Sequence, residues 1–530
     1  MDRKRILRSQ TITEAAIITS IVAFLSKIVG YIRDMLTAKY FGTSPQMDAF
    51  EVALIIPNMI LGLFAAGMQT IIVRMYTEKK EQQGLEKGKT FVSQLFFIYS
   101  VLLFFITILL VIFSPFFVKI VAFGLTSDRF TYASTFVKML AIFGYLNIMT
   151  GFFTGIFQAE KQFLYPAVTG LIANIVIPIT LILLAPKIGI YSRVWGQNLF
   201  GFVYFFLLFS FLYFRWKFFR HYDIKEIDWA GFKEFTNLMI PAMIVSGLSV
   251  LYQITDKTVA SYLPSGAIAS LSYAQTVYLI PYSLIGASLT TAVYPTLSSH
   301  AVSKNDEDYM RLFKKSFYVL VFIMVPFTVY FTVWARPIVR VLFERGAFTE
   351  SSAVLTQWNV AMYSLGLLGI TLADLFRRAF FTYKDTKTPM LISWVSAFLN
   401  LVFDILLAKL MGAPGIALAT TIVTYASLVQ YIMYGRHRKY FEAGYLKHLI
   451  LELMKSILVG ILMGLLAYLS LRFIPVKAHA VTVFLRSIGI GAVIFIIYVG
   501  LGKLVRSEIF DVAISYGLSA VNHIFKRIRR

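Results

Sequence analysis

Apolar runs of about 20 residues recur from one end of the chain to the other, and short stretches rich in charge, proline and glycine separate them. A run of that length crosses a hydrocarbon core of ~30 Å as an α-helix. The shorter, two-residue alternation of membrane strands is absent. The pattern predicts an all-α polytopic membrane protein of about fourteen transmembrane helices. They begin near residues 12, 48, 90, 132, 163, 194, 236, 268, 312, 354, 388, 414, 449 and 481.

Charge orients these spans, because cytoplasmic connections hold the excess of Lys and Arg. Every second connection is basic. Arg3, Lys4, Arg5 and Arg8 precede the first span, and Arg74, Lys79, Lys80, Lys87 and Lys89 follow the second. Later basic clusters run from Arg215 to Lys233, Lys304 to Lys315, Arg377 to Lys387 and Arg436 to Lys447, and the chain ends in Lys526, Arg527, Arg529 and Arg530. Both termini are therefore expected in the cytoplasm. Two connections fit poorly: an outer one with Arg336, Arg340 and Arg345, and an inner one with only Lys161. No small-residue cleavage site follows the first apolar run, which reads as a retained span.

A weak repeat links Ala38–Gly62 to Ala260–Gly286. Ala38, Tyr40, Pro57 and Gly62 fall on Ala260, Tyr262, Pro281 and Gly286, and Asp34 falls on Asp256. Two halves of six spans that start on the same side are parallel repeats about an axis along the membrane normal. The expected organisation is a lobe over residues 1–228, a second over 229–440, two added spans over 441–505 and a basic amphipathic tail over 506–530. In that tail Ile509, Phe510, Val512, Ile514, Leu518, Val521, Ile524 and Phe525 recur at helical spacing, which suits an interfacial helix on anionic lipid.

Composition removes several function classes. The chain has 530 residues, 58% hydrophobic and 15% charged, with mean hydropathy +0.73. That is too little charge to coat several soluble domains. The formal net charge of +23 follows from the basic connections, so no nucleic-acid partner is inferred. There is no cysteine, hence no thiol nucleophile or thiolate metal site. The six histidines form no helical metal pair, and neither a Walker nor a dinucleotide glycine motif occurs. An enzyme is not expected, and any energy source is an ion gradient, the membrane potential or the cargo's own gradient.

Ionisable residues inside spans are costly in lipid and become functional candidates. The first span carries Lys27, Arg33 and Asp34, and the second opens with Asp48 and Glu51. Lys27 and Asp34 share a helix face; snorkelling to the headgroups is the alternative for Lys27 and Arg33. Asp256 and Lys257 sit in the seventh span, where a neutralising pair is the bland reading. Asn400 and Asp404 stack on one face of the eleventh span, with Thr420 on the twelfth. These are hard oxygen donors suited to Na⁺ or a proton; interhelical hydrogen bonding is the alternative.

The chain resembles the lipid II flippases of the MurJ (MviN) type, in the multidrug/oligosaccharidyl-lipid/polysaccharide exporter superfamily. The resemblance rests on Ser26–Gly30, Arg33-Asp34, Phe41-Gly42, Asp48-Ala49-Phe50, Pro57-Asn58, Tyr273-Ala274, Leu342–Thr349 (LFERGAFT), Arg378-Ala379-Phe380 and Asp385–Pro389 (DTKTP). It implies two six-helix lobes around a cationic cavity, with a groove from the last two helices. It also implies movement of undecaprenyl-diphosphate-linked disaccharide-pentapeptide to the outer leaflet of the bacterial cytoplasmic membrane by alternating access. Carried over by position, Lys27, Arg33, Asp34, Asp48 and Lys257 are the candidate cargo-binding residues. Asp256, Asn400, Asp404 and Thr420, with the Ile416 carbonyl, match the family's sodium site, so Na⁺ is the candidate coupling ion and no other cofactor is expected. The expected partners are lipid II, anionic lipids and the wall-synthesis machinery, with the chain itself a monomer.

Two departures bear on cargo. Leu61-Gly62 and Gln275-Thr276 stand where the family has arginines that hold the diphosphate, and Lys27 replaces another arginine. Another polyprenyl-diphosphate-linked glycan, such as an O-antigen or capsule unit, is therefore the alternative cargo. A non-transporting scaffold of wall synthesis is the alternative of a different class.

Overall fold

The computed structural model describes residues 12–219, 227–474 and 478–515; the side chains of 12–17, 66, 241, 242 and 244–253 lie outside the description. The described residues are helical almost throughout, with no strand among them. First come α1 (Ile12–Phe41), α2 (Pro45–Gln83), α3 (Leu85–Ile112), α4 (Ser114–Val121), α5 (Ser127–Ala159), α6 (Leu164–Ile188), α7 (Tyr191–Ser210) and α8 (Trp229–Ser261). Then follow α9 (Ala267–Pro281), α10 (Ala287–Val302), α11 (Asp306–Val333), α12 (Ala335–Leu342), α13 (Glu350–Leu365) and α14 (Leu367–Thr382). The last are α15 (Lys387–Met411), α16 (Ala413–His437), α17 (Ala443–Ser470) and α18 (Ala480–Leu504).

Every expected span start falls within two turns of a helix start. Twelve helical segments among the described residues are long and apolar enough to cross a membrane. The expected first and seventh spans fall on α1 and α8, which carry side chains outside the description. The eighth span is interrupted: Pro281 is followed by a π-turn over Tyr282–Gly286 that joins α9 to α10. A proline inside a helix lacks the N–H and crowds the preceding turn, and such a turn relieves it.

The short helices α4 and α12 were not expected. Each has eight residues, carries a proline in its first turn and follows a long span, α3 or α11. Those spans stand third and ninth, so the insertion recurs at the interval of the sequence repeat.

The chain divides into two compact units. The first runs to Ala269 and includes Arg345–Phe348; the second comprises Ser270–Glu344 and the chain from Thr349 onward. The first unit therefore takes in α8 and the start of α9, beyond the boundary at residue 228 suggested by the repeat. In it, α2 lies along α5. Glycines allow this close approach: a Cβ at Gly155 would stand 2.3 Å from Ile72 Cγ2, and one at Gly144 2.7 Å from Leu61 Cδ1. Small residues at helix contacts serve lipid-embedded packing, where dispersion replaces the hydrophobic drive. Within this unit the Arg345–Phe348 segment lies on the end of α1, with Ala347 N–H donating to Lys39 O at 2.8 Å. Gly346 has φ +60°, and a Cβ there would sit 2.4 Å from Lys39 O, so the glycine of the FERGAF stretch is a packing requirement.

In the second unit α13 and α14 are the most enclosed span, flanked by α11 and α16. The added helices α17 and α18 pack against α11 and α12: Trp334 Nε1 donates to Ala467 O at 3.0 Å and Tyr330 OH to Gly491 O at 2.5 Å. Two of the outer arginines that broke the charge alternation share a carboxylate here. Arg336 lies 2.7 Å and Arg340 3.8 Å from Glu344.

The tail differs from a helix lying free on the bilayer. Residues 508–515 are helical, and Ile509 and Phe510 are fully buried, the latter ring 4.8 Å from Tyr498. Buried Glu452 accepts from Ser507 Oγ at 2.8 Å and Glu508 N–H at 2.9 Å. The start of the tail thus packs on protein; Leu518, Val521, Ile524, Phe525 and the terminal cations lie outside the described residues.

Candidate functional site

The intramembrane charges of the first unit gather on α1, α2 and α8. On α1, Arg33 Nε donates to Asp34 Oδ1 at 2.8 Å, and Lys27, one turn pair earlier, is half-buried. Arg33 also borders a cavity of about 430 Å³ between α1, α6 and α7, with Ser26, Asn174, Gln197 and Tyr204 on its wall. On α8, Lys257 Nζ meets Glu51 Oε2 of α2 at 3.0 Å. Glu51 also lies close enough to Arg33 to act on its charge. Lys257 therefore forms an ion pair with Glu51 on another helix, a partner beyond the pair expected between Asp256 and Lys257.

These pairs are not sealed. Side-chain exposure is 28% and 15% for Arg33 and Asp34, and 10% and 18% for Lys257 and Glu51. Two cations, each held by one carboxylate and reachable from outside the helix packing, can exchange those carboxylates for the oxygens of an anionic ligand. The guanidinium of Arg33 binds Asp34 through Nε, and a guanidinium has further N–H donors of the kind that suit a phosphate.

Asp48 behaves differently. Its carboxylate is fully buried, accepting from Gly266 N–H at 2.7 Å and Ala269 N–H at 2.8 Å. Arg129 Nη1 approaches at 3.5 Å. Those amides belong to the first turn of α9, whose N-terminal donors have no partner within their own helix; Asp48 caps it from a distant segment. Gly266 has φ +93°, and a Cβ there would lie 2.8 Å from Thr43 O, so only glycine suits the turn that presents these amides. As placed here, Asp48 ties helices together, with Lys257 near enough to act on its charge.

In the second unit Asn400 Nδ2 donates to Asp404 Oδ2 at 2.7 Å. Both residues are buried, at 1% and 0% exposure. The bond turns the amide oxygen of Asn400 and the second carboxylate oxygen of Asp404 toward the interior. On neighbouring α16, Thr420 Oγ1 donates to the Ile416 carbonyl at 3.3 Å, so the hydroxyl and carbonyl oxygens lie together. Carboxylate, amide, carbonyl and hydroxyl oxygens are the donor types that a hard monovalent cation prefers, and the two helices that carry them pack together. Asp256, the fifth expected ligand, is buried in the first unit.

The structure also shows what occupies the places of the expected arginines. Leu61 is fully buried against Gly144 of α5. Thr276 Oγ1 donates to Ser272 O at 3.2 Å, and Gln275 Nε2 to Tyr363 OH at 3.1 Å. The sequence marks Glu51 as a charge inside the second span without assigning it a role, and it does not single out Arg129. A carboxylate set within the apolar stretch AFEVALI was the available signal for Glu51; nothing local marks Arg129, whose partner lies 81 residues away.

The family model described as "Lipid II flippase MurJ" matches residues 37–488. A protein of Rhizobium meliloti (strain 1021) named "Probable lipid II flippase MurJ" is 28% identical over 413 residues, 74% of this chain and 75% of that protein. The solved structure "Lipid II flippase MurJ, inward closed conformation" superposes with a TM-score of 0.75 at 26% identity, covering 91% of this chain and 98% of its own. An inward-facing multidrug resistance MATE transporter of the MOP superfamily gives 0.68 at 13% identity over 78% and 94%, a likeness of fold alone.

Proposed function

The chain belongs to the lipid II flippase MurJ family, and from that premise we propose that it carries lipid II across the membrane, holding the diphosphate at Arg33 and Lys257. It is a multi-pass membrane protein, and we assign it to the bacterial cytoplasmic membrane with both termini inside, on the distribution of basic connections. One observation supports the cargo assignment: two cations on α1 and α8, the expected first and seventh spans, each paired with a carboxylate and each partly exposed. Charges in such helices are retained where they serve transport. Transport rather than catalysis follows from the family.

A second reading keeps the chemistry and changes the glycan. It is favoured by Leu61, which is packed into the contact of α2 with α5, so the cation found there in relatives has no counterpart. For coupling, Asn400, Asp404, the Ile416 carbonyl and Thr420 would hold Na⁺. The ion's charge would balance a carboxylate that is otherwise expensive to bury. Asp256 stays the sequence-based expectation for a fifth ligand.

Complementation of a bacterium depleted of its lipid II flippase tests the cargo. Growth restored by the wild-type chain, and lost in Arg33→Ala at normal protein level, supports lipid II. Failure of the wild-type chain despite good membrane insertion rejects lipid II in favour of another glycan. Normal growth with Arg33→Ala rejects the role of Arg33 and returns it to a snorkelling cation.

A further inference from the structure

We propose that Glu51 is a resident counter-ion: in the cargo-free protein it occupies Lys257 in place of the diphosphate, and cargo binding displaces it. This rests on the reading that the diphosphate engages Lys257 and Arg33. It adds a residue to which neither the family resemblance nor any motif assigned a role.

The argument starts from electrostatics. A cation facing lipid-embedded helices with no counter-charge is strongly unfavourable, so an empty diphosphate site needs a surrogate anion. The surrogate must be mobile enough to leave. Asp34 is not, because it is adjacent in sequence to Arg33 and binds its Nε; the guanidinium can keep that bond and take a phosphate through its terminal nitrogens. Asp48 is not either, because two backbone amides and Arg129 fix it in a fully buried position.

Glu51 meets the requirement. It reaches Lys257 at 3.0 Å from a different helix, 206 residues away in sequence, and both ends of the pair are partly exposed. Each partner has a flexible stem, so the pair can open without moving backbone. Lys257 from α8 pairs with Glu51, Arg33 from α1 lies near enough to feel its charge and holds Asp34 at its Nε, and Asp48 on the same helix as Glu51 feels Lys257. Each of the two closed pairs, Arg33–Asp34 and Lys257–Glu51, carries no net charge of its own.

Displacement has a proton consequence. The diphosphate of lipid II is a diester, with no group that titrates between about pH 5.5 and about 8. Once it takes Lys257, Glu51 has lost a counter-charge beside a new anion. Protonation, by a proton from water and with no other bond made or broken, then becomes more favourable. By linkage, cargo binds more tightly as pH falls.

The test is equilibrium binding of lipid II to the purified full-length protein in detergent at about pH 8 and about pH 5.5, with steady-state transport in vesicles. Wild type should bind more tightly at the lower pH. Glu51→Gln should bind about fivefold more tightly at the higher pH, the size set by one partly exposed ion pair, with a flat pH profile and slower turnover. A flat profile in the wild type, or Glu51→Gln matching wild type in both affinity and pH dependence, overturns the counter-ion role. Because the wild-type profile stands by itself, failure of the variant to fold leaves the proposal open to refutation. Lys257→Gln separates the two levels: binding as tight as wild type would reject the diphosphate placement itself.

Discussion

Asp48 and Glu51 lie one turn apart on the same helix, and both carry a carboxylate into apolar surroundings. Asp48 is enclosed by backbone amides and Arg129 until none of it is exposed. Glu51 closes on one lysine of α8 and keeps 18% of its side chain accessible. The difference lies in the chemistry of the partners. Backbone donors at a helix start cannot turn away, whereas a lysine stem can. Among intramembrane charges, accessibility and partner mobility separate a structural tie from an exchangeable site better than charge itself does.

The strongest way to break this contrast is to remove the tie. Asp48→Ala leaves Arg129 as a buried cation and strips the first turn of α9 of its cap. Loss of one member of a buried pair costs about 3–5 kcal/mol, so a large drop in thermal midpoint in detergent is expected. Glu51→Ala should shift the midpoint much less; equal shifts would erase the distinction.

A third carboxylate sharpens the comparison with a smaller effect on folding. Asp404 is as buried as Asp48, but it accepts from the amide of Asn400. Asp404→Ala is expected to abolish the sodium dependence of transport and to leave the protein folded. Unchanged sodium dependence would return the Asn400–Asp404 contact to a packing role.

The smallest effect belongs to Glu508, outside the spans and 48% exposed. Hydrogen bonding from Lys314 holds its carboxyl down at about 2, against an opposing contribution from burial, with His448 and Tyr318 adding to the depression. A depressed carboxyl stabilises the fold fully above its ordinary value of 4.5, and that contribution is lost as pH falls toward about 2. Hydrogen exchange over residues 508–515 should therefore accelerate across that acid window. In Lys314→Met the acceleration should be smaller and complete at higher pH; an identical profile would show that Lys314 does not set it.

Much of the architecture was legible before folding. Apolar length placed the start of each expected helix, and Pro57 and Pro281 marked the repeat that the matching insertions α4 and α12 extend. Asn400 and Asp404 could be paired from spacing alone, because residues four apart share a helix face. Glu51 and Arg129 could not, since their partners lie on helices far away in sequence. The buried place of Leu61 was equally hidden, because only the approach of Gly144 on α5 fills the position with apolar contact.

The sequence alone determined that the chain spans the membrane, how its helices are phased and where its charges fall. Those follow from local rules: the thickness of the hydrocarbon core, the helical period and the cost of charge in lipid. Tertiary structure decided which charges pair, which are capped out of reach and which stay exchangeable. That depends on through-space distances of a few ångströms between segments many residues apart, and no local pattern in the chain encodes them.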